Sequence, residues 1–78
     1  MTQNLDTIEA ANIISTVTLA LNCDSSDAAL HNYRDMVLEN LNKKDWDYSA
    51  LVALDECWNS LTEVLVERTG NGSLFLRN

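Results

Sequence analysis

Apolar residues recur along this chain at three- and four-residue spacing in three separate segments, the signature of amphipathic helices. The first segment runs from about Thr7 to Leu21. Ala10, Ile14, Val17 and Leu21 form its main stripe, widened by Ala11, Ile13 and Ala20. Ile8 and Leu19 fall on the opposite side, so the pattern predicts burial on more than one face. Asp6 stands where an N-cap would, and Glu9 follows three residues later, as a capping box requires.

The polar joint from Asn22 through Asp24 to Ser26 is rich in turn and cap residues. Ser25 or Ser26 would cap a second helix over about Asp27 to Asn42. Its apolar face is Ala29, Leu30, Tyr33, Met36, Val37 and Leu41; Asp27, His31, Arg34, Asp35 and Glu39 take the polar face. Lys43 and Lys44 follow the last turn, where positive charge suits the helix dipole. Asp45, Trp46 and Asp47 make the next joint, with Asp47 as the expected N-cap.

The third helix is expected over about Tyr48 to Arg68. Leu51, Leu54, Trp58, Leu61 and Leu65 define its core stripe, flanked by Ala50, Cys57 and Val64. Gly70 suits the residue after the C-cap, and Asn71 and Gly72 suit a tight turn. The tail from Ser73 to Asn78 is too short to fold alone. With joints this short, neighbouring helices should be antiparallel. The expectation is therefore an all-α, small antiparallel three-helix bundle with a short C-terminal tail, one domain over residues 1–78.

Charge then narrows the function. The chain has 78 residues, five Lys and Arg against twelve Asp and Glu, and a net charge of −7. Phosphate binding needs clustered cations, so direct nucleic-acid binding is not expected. Membrane attachment by a basic amphipathic helix is disfavoured for the same reason. No run has the length and apolarity of a membrane span, and no signal-peptide pattern is visible. The match to a glycosylation acceptor at Asn71, Gly72 and Ser73 reads as accidental. Two cysteines are too few for a secreted disulfide scaffold of this size. Cys57 reads as a small buried hydrophobe, Cys23 as a free loop thiol, and the compartment as cytoplasmic.

Catalytic chemistry has little to stand on. His31 is the single histidine, flanked by Asp27 and Asp35 on one helix face, and is read as solvated rather than as a metal ligand. Four ligands for a structural zinc do not exist, nor does the Glu-x-x-His pattern of di-iron bundles. No catalytic, cofactor-binding or metal residue is assigned, and no enzyme activity is expected.

Two surfaces remain. Glu56, Glu63 and Glu67 share a narrow arc of the third helix, away from its apolar stripe, with Asp55 farther round. Such a ridge attracts basic protein surfaces and speeds encounter. Full nucleic-acid mimicry is beyond it, since a duplex carries about 18 charges over the roughly 31 Å of this helix. The other surface is apolar. Ile8, Leu19, Leu74 and Leu76 are candidates for a dimer contact, with the tail either folding back or crossing to a second copy, and Trp46 and Phe75 are candidate partner anchors. The first reading is a small acidic inhibitor or regulator, phage- or plasmid-encoded, acting on a host nucleic-acid-handling or defence complex. The alternative is a homodimeric structural or chaperone-like helical module.

Overall fold

The structure is a computed structural model that describes residues 5–23 and 25–76. Asp24 of the first joint and Arg77 and Asn78 of the tail lie outside the described residues. Helix α1 spans Leu5–Asn22, α2 Asp27–Lys43 and α3 Tyr48–Thr69, and a short 3-10 turn, η1, covers Gly72–Phe75. Among the described residues there are no strands. Each helix matches the apolar spacing within two residues at either end.

Long-range pairs fix the antiparallel order. Asp27 at the start of α2 meets Arg68 at the end of α3, and Asp6 at the start of α1 meets Lys44 just past the end of α2. Helix α3 is the hub: α1 and α2 each pack on it more extensively than on one another. The body is correspondingly flat, 45 × 28 × 15 Å. This corrects the expectation for α1. One packing seam buries Ala10, Val17 and Ala20, and the far side, with Leu5, Ile8, Ala11 and Leu19, stays exposed.

The core has two adjoining parts. Val17, Leu30, Val37, Cys57, Trp58, Leu61 and Leu65 form the larger. Ala10, Trp46, Ala50 and Leu54 form the smaller, at the end where α2 turns into α3. Each fully buried Leu contributes on the order of 2 kcal/mol of transfer free energy. Leu51, placed in the core stripe by spacing, is 40% exposed instead. It lies in the first turn of α3, on the margin of the seam with α2.

The joints end and start helices with side chains. Ser25 Oγ donates to the carbonyl of Ala20, in the last turn of α1, at 2.7 Å. Ser26 accepts from the Ala29 N–H at 3.2 Å and is the N-cap of α2. Asp47 stands at the N-cap of α3 but makes no side-chain cap; its carboxylate accepts from Ser49 Oγ. Asp6 is not a cap either. It lies inside the first turn of α1, and its carboxylate reaches across the molecule. Gly70 takes φ +73°, the left-handed conformation glycine adopts without strain, and its N–H bonds the Val66 carbonyl. Asn71 then caps η1 by accepting from the Ser73 N–H. The turn sends the tail back over the bundle.

Candidate functional site

Glu56, Glu63 and Glu67 are all exposed on α3. At 1.5 Å per residue they run along about 16 Å of helix. Seven residues and then four separate them, so they stay within one arc. Among the described residues none of the three makes an ion pair.

The cations explain that isolation. Lys43 and Lys44 turn towards α1: Lys44 Nζ lies 2.6 Å from Asp6 and 3.3 Å from Glu9, and Lys43 lies 3.5 Å from Glu9. Arg68 Nη1 lies 3.1 Å from Asp27 and donates to the Ser25 carbonyl at 2.6 Å. Arg34 enters a niche between α2, α3 and η1. The described positive charge is thus spent on joining elements, and the arc keeps its negative charge. The Lys44 ammonium and the Asp47 N–H hold the Asp6 carboxyl below its ordinary range, and Lys44 does the same for Glu9. Reciprocally, the bond to Asp6 raises the Lys44 pKa.

The other candidate residues are dispersed. Trp46 is only 7% exposed. Its indole Nε1 donates to the Asn40 carbonyl at 2.6 Å, and Lys44 Nζ sits 4.4 Å from its ring centre. An exposed anchor was expected there; the ring is instead core, drawn in by a carbonyl left unpaired at the end of α2. The tail folds back rather than crossing away. Leu74 packs against the core, and Phe75 meets Trp58 edge-on at 6.5 Å while remaining 42% exposed. Leu74 is therefore engaged within its own chain, whereas Leu76, Ile8 and Leu19 stay exposed. The candidates divide among the α3 arc of Glu56, Glu63 and Glu67, the tail with Phe75 and Leu76, and the outer side of α1 with Ile8 and Leu19; Glu56 also lines a cavity with Ile14, Val17, Thr18 and Leu21 of α1.

His31 is half-buried, and Asp27 faces Arg68 instead of joining it. Among the described residues no three His, Cys, Asp or Glu side chains gather to hold a metal ion. Cys23 is exposed and Cys57 buried, both as free thiols, and burial pushes the Cys57 pKa up.

The charge of Arg34 assigns it to the polar face of α2, and the structure corrects this. Its Nε donates to Thr62 Oγ1 at 3.0 Å, its Nη2 donates to the Leu74 carbonyl, and its guanidinium lies 4.7 Å from the Trp58 ring centre. Thr62 is fully buried and donates in turn to the Trp58 carbonyl at 2.8 Å. The spacing carried the signal: Leu30, Arg34, Val37 and Leu41 step by four, three and four along one stripe of α2. Trp58, Thr62 and Leu65 do the same on α3.

Beyond the niche, α2 and α3 leave an open groove of about 700 Å³, walled by Leu38, Leu41, Leu51 and Val52 and edged by Asn42, Asp55 and Glu56. Comparison with protein-family models, curated proteins and solved structures finds no match. No helix among the described residues is long and apolar enough to cross a membrane.

Proposed function

We propose that this chain is an acidic protein-binding module, an inhibitor or regulator, that meets a basic protein surface with the Glu56, Glu63 and Glu67 arc of α3. The observation that supports this reading is the segregation of charge. Lys43, Lys44 and Arg68 are occupied by acids on other elements, while the arc has no compensating cation among the described residues. An arc of one sign attracts an opposite surface over roughly the 8 Å Debye length of physiological salt and speeds encounter more than it deepens affinity.

A nucleic-acid-handling or defence complex is the partner class in view, because such complexes carry basic surfaces. Mimicry of the nucleic acid would be local: a duplex carries about 10 charges over the roughly 16 Å that the three carboxylates span. The two free thiols fit a reducing, cytoplasmic setting.

The test is capture from a lysate of the source organism with the wild-type chain and with a Glu56→Lys, Glu63→Lys, Glu67→Lys triple variant, in low and high salt. The reading expects a partner retained by the wild type in low salt, released by high salt, and absent with the folded variant. Equal retention by the variant contradicts it.

A second reading rests on a separate observation. From Ala10 to Asn22, α1 carries no charged residue, and its outer side exposes Leu19, with Ile8 just before the stretch. A neutral face is where two copies of a −7 chain could meet with least repulsion. Leu19→Lys should then convert dimer to monomer in sedimentation velocity; a wild-type chain that is monomeric at high micromolar concentration excludes this reading.

A further inference from the structure

The outer side of the α2–α3 seam is one furrow with two halves. Its walls follow from helical spacing: Arg34, Leu38 and Leu41 step by four and three along α2, and Leu51, Asp55, Trp58 and Thr62 by four, three and four along α3. In the half nearer the end of α3, the chain fills its own furrow. Leu74 packs on the core, Phe75 meets the edge of Trp58, and Arg34 donates to the Leu74 carbonyl. The other half is the open groove, where Leu51 and Val52 remain 40% and 37% exposed.

We infer that the open half seats a short segment of the protein partner, carrying one or two large apolar side chains flanked by Lys or Arg. This rests on the proposed protein-binding function and specifies what the partner presents. Three observations carry it. The filled half holds a segment with adjacent apolar side chains, Leu74 and Phe75, on the same stripes of the same helices. The polarity is reversed between halves: Arg34 offers a cation to a peptide carbonyl in one, whereas Glu56 offers a carboxylate in the other and no cation among the described residues lines it. Glu56 is also the first member of the exposed arc, so a segment seated in the groove leads directly onto the acidic ridge. A second copy is a poor occupant, because a symmetric contact would set one acidic rim against another.

The test is an NMR titration of the full ¹⁵N-labelled chain with two helical peptides of equal charge, one an amphipathic Leu/Lys peptide and one an Ala/Lys peptide. The inference expects the Leu/Lys peptide to bind at least tenfold tighter and to move the amides of Leu38, Leu51 and Val52. A Leu51→Gln, Val52→Gln double variant should bring its affinity down to the Ala/Lys level while leaving Ala/Lys binding unchanged. Both positions are more than one-third exposed, and the variant's own spectrum reports whether it is folded. Equal affinity for the two peptides, shifts confined to the Glu63 and Glu67 stretch, shifts centred on Leu74 and Phe75, or undiminished binding by the double variant would each overturn the groove and leave the ridge standing. Failure of both peptides to bind in low salt would overturn both.

Discussion

The molecule sets a cation over a tryptophan at two places, and the two are built differently. Midway along α3, Arg34 lies over Trp58 and donates to neutral oxygens, Thr62 Oγ1 and the Leu74 carbonyl. At the turn from α2 to α3, Lys44 lies over Trp46 and pairs with two carboxylates, Asp6 and Glu9. The planar guanidinium suits the first place, because it can stack on a ring and donate sideways at once. The ammonium suits the second, where a compact charge bridges two acids near solvent. One arrangement should therefore depend on shape and the other on ionic conditions.

The largest expected effect lies at the first place. Trp58→Ala removes the bulkiest fully buried side chain and the surface beneath Arg34 and Phe75. A cost of about 3–5 kcal/mol is expected in urea denaturation, a large share of the stability of a domain this small. Arg34→Ala comes next, at about 1.5–3 kcal/mol for a part-buried charged donor. Its cost should change little between 0.05 and 1 M salt, and Arg34→Lys should not restore it. If Lys restores full stability, the fork geometry is not what holds η1 to the bundle.

The Lys44 cluster should give smaller effects that depend on conditions. The carboxyl pKa values of Asp6 and Glu9 are lowered in the folded chain from ordinary values of 3.8 and 4.5. Their contribution is complete above those ordinary values and is lost as pH falls through the lowered folded ones. Lys44 is raised from 10.5, so its contribution is complete below 10.5 and is lost as pH rises through the higher folded value. Melting temperature should thus fall less between pH 6 and pH 2.5 in Asp6→Asn than in the wild type. Lys44→Met should destabilise less than Arg34→Ala, and its effect should fade at 1 M salt, where the Debye length is about 3 Å. A Lys44→Met cost that exceeds that of Arg34→Ala at every salt concentration would reverse the comparison.

The smallest stability effect is expected at the arc. Reversal of Glu56, Glu63 and Glu67 touches no packed group, so each should change stability by within about 0.5 kcal/mol. This would separate the arc from the fold, as a binding surface requires.

The same contrast explains what the residues disclosed in advance. Helix spans, the antiparallel order and, apart from Leu51 and Arg34, the buried faces of α2 and α3 are legible, because they follow from spacing within a segment. Cap chemistry at Ser26 and Gly70 was legible for the same reason. Trp46 was not, since its burial depends on the Asn40 carbonyl and on α1 arriving from far along the chain. Asp6 was misread as a cap because a local rule fits it, while the competing partners, Lys44 and the Asp47 N–H, lie about forty residues away. Arg34 was assigned by charge although its spacing placed it on the core stripe. The acidic arc is visible in the sequence, but its lack of counter-charge among the described residues depends on Lys43, Lys44 and Arg68 pairing with acids on other elements. The groove needed two helices in register and had no one-segment signature.

The most direct measurement of the central claim is the association rate of this chain with its captured partner from about 0.05 to 0.5 M salt, for the wild type and the triple Glu→Lys variant. The account predicts a rate that falls at least tenfold with salt for the wild type, and a slower rate without that decline for a variant of unchanged melting temperature. The same rate and the same salt dependence in both proteins would contradict it.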